Sequence, residues 1–194
     1  AYNNYPILPI RTYQKMETDP IGGILTAMSK LQAESEGAAM QVLVRPSHAD
    51  NQKSLAIKVS REMQSGYQFK EAMQRAIHPP KTTETQKSQE TQKPKVVTPT
   101  DEEIIKAITS KAGKQNFDVN VRLMASASSD IRAQQILQDF EGSFVQFSSP
   151  DINGLKANKL SGRSLYKLIY NFSFRLFDNS QSMTMSTEEI TSFY

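Results

Sequence analysis

The chain of 194 residues contains no cysteine. This absence excludes disulfides, thiolate catalysis and thiolate metal sites, and it suits a reducing compartment. Histidine is scarce as well, since His48 and His78 are the two in the sequence and they do not stand at ligand spacing from each other. Zinc sites need several His or Cys ligands. We therefore expect no metal site.

Long apolar runs are missing too. No window approaches the roughly 18 apolar residues that cross a bilayer, and no signal-peptide pattern opens the chain. We expect a soluble protein without a membrane span of its own. The chain begins at Ala1 rather than at Met, so we expect a further piece upstream in the parent polypeptide.

The sequence also lacks the short motifs that carry catalysis. Neither GxxxxGK(S/T) nor GxGxxG occurs, so no phosphate-binding loop is predicted, and GxSxG and HExxH are absent. Two carboxylate pairs, Glu102-Glu103 and Glu188-Glu189, fall in first turns of predicted helices. There they favour the positive helix terminus, and we expect both pairs on solvated faces. The sequence therefore predicts no enzyme, no cofactor and no small-molecule substrate for this region.

Residues 79–100 differ in composition from the rest of the chain. The segment is rich in Pro, Thr, Gln, Lys and Ser, and Val96-Val97 is its one apolar pair. Such a segment buries too little apolar surface to offset the entropy of ordering it. We predict a flexible linker between a first unit, residues 1–78, and a second unit, residues 101–194.

The first unit is predicted to hold four elements. Pro6 and Pro9 restrict their stretch to an edge strand or an extended arm, and Asp19 before Pro20 marks a helix start. The predicted elements are an edge strand at 5–13, a helix at 20–33, a strand at 38–45 and a helix at 50–76 with a break at Gly66.

The second unit follows a similar plan, in which a helix or a turn lies between each predicted strand and the next. Strands are predicted at 117–123, 143–147, 170–177 and around 183–185. Helices are predicted to open at 101–103, 128–130 and 186–189, with a short helix at 161–169. We predict an α+β fold of duplicated β-α-β halves, a ferredoxin-like sandwich with helices on one face of a mainly antiparallel sheet.

A basic and aromatic cluster is the one candidate site. The net charge of +3 is too small to indicate nucleic-acid binding by itself, so any basic surface must be local. No acid stands between Asp151 and Asp178, whereas basic and aromatic residues alternate there: Lys156, Lys159, Arg163, Tyr166, Lys167, Tyr170, Phe172 and Arg175. This mixture suits single-stranded nucleic acid, where cations meet phosphates and rings stack on bases. The alternative is that Leu165, Leu168 and the rings pack inward while the cations stay hydrated.

Three stretches resemble a known family. The string DPIGGILTAMSKLQAESEGAAMQVLVRPS (19–47) is similar to the segment ahead of the motor domain in conjugation-type ATPases. These are the HerA/FtsK-like, TraG/TraD-like coupling proteins of type IV secretion, especially a set from small-genome bacteria. KAGKQNFDVNVRLMASASS (111–129) with GSFVQFSSPDINGLKAN (142–158) resembles the same region, and MSTEEITSFY (185–194) resembles the stretch that enters the nucleotide-binding core.

The resemblance implies a context for the domain. It implies a cytoplasmic domain, membrane-associated through a segment of the parent protein outside this chain. It also implies a hexameric DNA-pumping motor that follows Tyr194, so the expected partners are that motor domain and like subunits, with DNA as a further candidate.

Three hypotheses follow from these patterns. The leading one is a non-catalytic accessory and assembly domain of a membrane-associated DNA-translocating ATPase. The second is a single-stranded nucleic-acid-binding module that uses the 156–175 patch. The third is a protein-partner or adaptor-binding domain, in which methionines supply adaptable apolar surface. Salt-dependent affinity for DNA favours the second, and binding that follows apolar surface and ignores salt favours the third.

Overall fold

A computed structural model describes residues 1–17, 19–32, 35–47, 50–79, 97–150 and 152–193 of the chain. They form two units. The first combines Ala1–Ser47 with Asn116–Tyr194, and the second is His48–Gln115. This grouping differs from a division of the chain at residues 79–100, because both sequence halves contribute to the first unit. Residues 80–96 of the proposed linker lie outside the described part of the chain.

Several helices in the described ranges begin at a residue whose side chain caps them. The helices are α1 (Pro20–Ser29), α2 (Asp50–Gln64), α3 (Phe69–Ile77), α4 (Pro99–Ala112), α5 (Asp130–Ser143), α6 (Gly162–Ser173) and α7 (Thr187–Thr191). The Asp19 side chain accepts a hydrogen bond from the Ile21 amide at the start of α1. Thr98 and Asp101 form a capping box at α4, so this helix begins earlier than the predicted opening at 101–103. Ser129 caps α5 as predicted.

The first unit is built on one three-stranded antiparallel sheet. Its strands β1 (Gly37–Pro46), β2 (Asn116–Ser126) and β3 (Met183–Ser186) lie in that order. β1 and β2 form a long ribbon in which Gly37 stands opposite Ser126 and Pro46 opposite Phe117. β3 pairs with one end of β2. The ribbon therefore joins two segments that are distant in sequence.

The two faces of this sheet differ because side chains alternate along each strand. Val119 and Val121 of β2 belong to the apolar core together with Phe140 of α5. Asn120 and Arg122, at the positions between and beyond them, point to the opposite face. The buried members of the core are Ile10, Ile24, Val119, Ile136, Phe140, Phe144, Phe147, Met183, Met185 and Phe193.

The second unit is helical in its described residues. Helix α2 packs against both α3 and α4. Gly66 lies between α2 and α3 with a φ of 91°, a conformation that favours glycine, so the predicted break is confirmed. Arg75 Nε donates to Glu62 Oε2 at 2.9 Å, and its guanidinium lies over the Tyr67 ring. The buried apolar side chains are Ala56, Val59, Met63, Ala72, Met73, Ile108 and Ala112.

The predicted α+β class is confirmed, but the duplicated ferredoxin-like arrangement is not. The described residues hold one sheet, and its strands come from both of the predicted halves. β1 and β2 confirm the strands predicted at 38–45 and 117–123, and each is somewhat longer than predicted.

Three predicted strands are wrong. The 143–147 stretch forms a 3₁₀ turn, Phe144–Phe147, which carries both of its phenylalanines into the core. The 170–177 stretch is the end of α6 followed by a turn, because the helix runs on to Ser173 instead of ending at 169. The 5–13 stretch forms turns and irregular backbone leading into a 3₁₀ turn, Tyr13–Lys15, and the helix predicted over 20–33 ends at Ser29.

Candidate docking surface on helix α6

Helix α6 presents an exposed apolar surface to solvent. Tyr166 is 74% exposed and Tyr170 is 57% exposed, and Leu165, Ile169 and Phe174 are exposed as well. These five residues, here called the α6 face, are spaced four positions apart along two neighbouring rows, Leu165 with Ile169 and Tyr166 with Tyr170 and Phe174. The rings of Tyr170 and Phe174 are in contact, with centroids 4.8 Å apart. Side chains of this size are rarely left in water as a group without an interaction role.

Five cations lie on helix α6 or close to it along the chain. Arg163 and Lys167 lie on the helix, one turn apart and beside Tyr166. Lys156 and Lys159 lie exposed in the irregular segment before the helix, and Arg175 follows it. Lys167 Nζ is 3.1 Å from Asp178 Oδ2, so its charge is partly neutralised. The other four cations have no ion-pair partner among the described residues.

The helix is held to the polar face of the sheet by its C-terminal end. Arg122 is 2% exposed, and its guanidinium donates to the carbonyls of Asn171 and Leu176 at that end. It also donates to Gln41 Oε1 at 3.1 Å. Gln41 Nε2 in turn donates to the Phe172 carbonyl at 3.0 Å. Burial lowers the pKa of Arg122, and the Asp178 charge opposes that shift.

Asp178 extends this network beyond the helix. Its backbone amide donates to Asn120 Oδ1 at 2.7 Å, and its carbonyl accepts from Asn120 Nδ2 at 3.0 Å. The pKa of Asp178 is lowered, first by the hydrogen bond from Ser180 and then by the Lys167 ammonium. Buried hydrogen bonds of this kind fix the position of what they hold, although Arg122 Nε itself has no hydrogen-bond partner among the described residues. It fixes the end of α6 while the α6 face stays open to solvent.

Arg175 ends α6 in an unusual conformation. Its φ is 52°, in the left-handed region that glycine usually occupies after a helix. The Leu176 amide donates to the Asn171 carbonyl at 2.8 Å, and the Arg175 amide donates to the Phe172 carbonyl at 3.2 Å. These two bonds form a Schellman motif. An arginine in this conformation costs about 1 kcal/mol relative to glycine, and such strain is often kept where the side chain has a function.

The structure brings four of the six predicted contact residues together. Arg163, Tyr166, Lys167 and Tyr170 lie within two turns of α6, whereas Lys156 and Lys159 precede the helix. The alternative that the two tyrosines pack inward is wrong, because both are exposed.

Sequence reasoning missed the residues that hold α6. Arg122, Asn120 and Gln41 were assigned to strands, and no role was predicted for their side chains. The available signal was a charged or amide side chain at every second position of β2, next to apolar ones. Such a pattern marks a polar sheet face, but it does not indicate which element that face contacts.

The second carboxylate pair is placed differently from its prediction. Glu189 is fully buried rather than solvated. It accepts hydrogen bonds from the Ile10 amide at 3.0 Å and from the Ser186 amide at 2.7 Å, and it completes the capping box of α7. Glu102 and Glu103 are exposed, as predicted.

A second basic surface lies on α2 in the helical unit. A shallow depression of about 400 Å³ is lined by Lys53, Ser54, Ile57, Lys58 and Arg61. This surface resembles the α6 face in composition, since the exposed Ile57 lies beside Lys53, Lys58 and Arg61. The described residues bring no group of three or more His, Asp or Glu side chains together to hold a metal ion. Among the described helices, none has the length and apolar character to span a bilayer.

No curated protein and no solved structure matches the chain. One family, described as "Domain of unknown function (DUF8128)", matches residues 1–194, and the chain belongs to that family.

Proposed function

We propose that this protein is a non-catalytic accessory and assembly domain of a membrane-associated DNA-translocating ATPase of the type IV secretion kind. The observation that carries the proposal is the α6 face, an exposed apolar surface near four cations that have no ion-pair partner among the described residues. A surface of this kind suits docking, since binding it to a partner removes apolar area from water. The domain is cytoplasmic in this proposal, and its parent protein is membrane-associated.

The way α6 is held supports a docking role. The Arg122 network anchors the helix end, so little conformational freedom remains to be lost when a partner binds. The strained Arg175 places a further cation beside Phe174. The ATPase context rests on the resemblance of 19–47, 111–129 and 142–158 to the segment before conjugation-type motors.

The test of this function uses the full-length parent protein. Its sequence after this domain should contain a strand followed by GxxxxGK(S/T). The double variant Leu165→Ser with Ile169→Ser should impair DNA translocation while ATP hydrolysis per subunit stays at the parental rate. The matched control is Ile131→Ser, which alters an exposed isoleucine on α5. Unchanged translocation in the double variant, or a parent protein without the nucleotide-binding motif, would contradict the proposal.

Single-stranded nucleic-acid binding is a second candidate function, favoured by the exposed Tyr166 and Tyr170 beside Arg163. Rings in this position can stack on bases at about 1–3 kcal/mol each. Binding should then weaken with salt, with a log–log slope near -0.7 for each phosphate neutralised. Changing Lys156, Lys159, Arg163 and Lys167 together to Ala should lower both affinity and slope. An unchanged slope in that variant excludes this function.

A further inference from the structure

We propose that the α6 face docks on the surface of an anionic lipid bilayer. In this arrangement α6 lies in the interfacial plane, its apolar side chains enter the boundary between headgroups and acyl chains, and the surrounding cations meet lipid phosphates. The inference rests on the assignment of α6 as the docking surface, and it names the partner of that surface.

The apolar composition of the face favours lipid over nucleic acid. Leu165 and Ile169 occupy one row of the helix and are aliphatic, so they have no ring to stack on a base. Leu176, just after the helix, is exposed as well. Aliphatic side chains do gain free energy from entering the acyl region. Tyr166 and Tyr170 fit the same site, because tyrosine rings favour the level of the headgroups.

The charges around the face also favour an anionic surface. Lys156, Lys159, Arg163 and Arg175 have no ion-pair partner among the described residues, and no acid occurs from 152 to 177. Each Lys or Arg near an anionic leaflet adds to binding. A second copy of the chain fits less well, since two α6 faces meeting across a two-fold axis would bring these cations together.

The geometry allows the helix to lie along a membrane. α6 is held from the sheet side, through Arg122 and Gln41 at its C-terminal end. Its free side extends over twelve residues, which corresponds to roughly 18 Å at the rise of an α-helix. Phe174 continues the apolar surface past the last turn through its contact with Tyr170.

Vesicle binding by the full 194-residue chain tests the inference. Vesicles of phosphatidylcholine mixed with phosphatidylglycerol should bind the protein, and vesicles of phosphatidylcholine alone should not. Added NaCl should weaken the binding. Arg163→Gln should lower the apparent affinity about fivefold, and Ile169→Ala should lower it roughly tenfold because apolar carbons leave the acyl boundary. The controls Lys15→Gln and Ile131→Ala, at exposed positions outside α6, should bind as the parent does.

A fluorescent reporter adds a direct readout. The chain contains no tryptophan, so Tyr166→Trp introduces a single probe on the α6 face. Its emission should shift to the blue when anionic vesicles are added. Tyr13→Trp, at an exposed tyrosine outside α6, should show no shift.

Several results would overturn the lipid assignment. Binding to neither type of vesicle would do so, and so would anionic binding that Ile169→Ala leaves unchanged. A blue shift of the Tyr166→Trp probe with a single-stranded oligonucleotide and none with vesicles would assign the face to nucleic acid. Loss of a dimer in sedimentation on Ile169→Ala would assign it to a second copy. A failed vesicle test changes only the partner of α6, whereas failure of the translocation test removes the docking role itself.

Discussion

Arg122 is a buried cation whose guanidinium donates hydrogen bonds to backbone carbonyls. It has no carboxylate within salt-bridge distance in the described residues, and its charge is met by the Asn171 and Leu176 carbonyls and by the side chains of Gln41 and Asn120. Removing the guanidinium would take the donor from the Leu176 carbonyl and from Gln41 Oε1, whereas the Asn171 carbonyl and Asn120 Oδ1 keep the Leu176 and Asp178 amides as donors. An unsatisfied buried polar group costs about 1–3 kcal/mol.

We expect Arg122→Met to lower the free energy of unfolding by about 3 kcal/mol, since two partly buried acceptors lose their donor while the side chain stays similar in size. Urea unfolding followed by circular dichroism measures this change. Lys30→Met is the control, because Lys30 pairs with Asp139 at 3.6 Å with both side chains exposed. Such a pair contributes about 0–1 kcal/mol. Equal effects of the two substitutions would show that the Arg122 network does not hold α6.

Glu36 gives the molecule a defined acid sensitivity. Its carboxylate accepts from Arg132 Nε at 2.7 Å, from Arg132 Nη2 at 2.9 Å and from the Gln32 amide at 2.7 Å. The Arg132 hydrogen bonds are the main reason that the pKa of Glu36 falls from 4.5 to about 2. The folded pKa is depressed, so this contribution to stability is present above the unfolded pKa and is lost as pH falls through the folded value.

We therefore expect Arg132→Gln to flatten the pH dependence of unfolding between pH 4.5 and about 2. Urea midpoints measured across that window check the prediction. The parent should lose stability as the pH falls, and the variant should lose less because the pKa of Glu36 returns toward its ordinary value. Parallel curves for the two proteins would mean that this ion pair does not control the acid transition.

Arg175 allows strain and function to be separated. We expect Arg175→Gly to raise the free energy of unfolding by about 1 kcal/mol, because glycine adopts its positive φ without steric cost. The same change should weaken binding to anionic vesicles, since the α6 face loses one of its neighbouring cations. Thermal unfolding and vesicle binding of one variant thus move in opposite directions. A variant that loses stability would indicate a contact of the arginine side chain that offsets the strain.

At the scale of elements, the sequence predicted best where a cap or an alternation acts locally. Asp19, Ser129 and Ser186 each precede a helix that begins where the cap places it. Alternation over 117–123 predicted β2 because one face is apolar and the other polar.

Local composition misled where tertiary packing decided the outcome. Phe144 and Phe147 read as residues of a strand, but a 3₁₀ turn places both in the core because they stand three apart. Tyr170 to Phe177 also read as a strand, yet α6 continues to Ser173 because its last carbonyls find donors on the sheet. Those donors come from distant parts of the chain, and no local pattern reveals them.

The candidate site could be predicted only in part, because local patterns identify its residues but not what packs against them. The absence of acids between Asp151 and Asp178 identified the cations and the aromatic residues. The sequence pattern did not indicate whether Tyr166 and Tyr170 face the core or the solvent, since both orientations fit an amphipathic helix. Burial depends on what packs against the helix, and here the sheet contacts its C-terminal end.

Exposure of the α6 face predicts that its side chains contribute little to stability. We expect Tyr166→Ala to change the free energy of unfolding by no more than about 0.5 kcal/mol, because the ring is largely in solvent. Phe140→Ala should cost about 3–5 kcal/mol, because that ring lies in the core. Differential scanning calorimetry compares the two variants. A large loss in Tyr166→Ala would place its ring in the core and remove it from the docking surface.

At the scale of the whole molecule, the second unit is inserted in the sequence between two paired strands. β1 ends at Pro46 opposite Phe117 of β2, so Ser47 and Asn116 stand at the same end of the ribbon. Residues 48–115 connect these two points. Such a position is where a simple hairpin turn would otherwise stand, and loop tips of this kind tolerate insertions.

We expect the first unit to fold without the second. Replacing residues 48–115 by Asn-Gly would join Ser47 to Asn116 through a two-residue turn that suits a hairpin. The shortened chain should unfold cooperatively and should keep the vesicle binding of the α6 face. Joining the same ends by a three-residue Pro-Pro-Pro link is the control, since it removes turn geometry and backbone donors. A shortened Asn-Gly chain without a cooperative transition would mean that the first unit depends on the second.

The insertion also affects how fast the sheet forms. β1 and β2 can pair only after the chain between them closes into a loop, and the entropy lost in closure grows with the logarithm of loop length. If residues 48–115 fold first, their two ends come close together. Most of the entropy of loop closure is then already lost before β1 and β2 pair. The helical unit, which contributes no strand among its described residues, would then set the folding rate of a sheet it does not belong to. Destabilising α2 or α4 would slow the pairing of β1 with β2 while leaving the rate at which the finished ribbon separates unchanged.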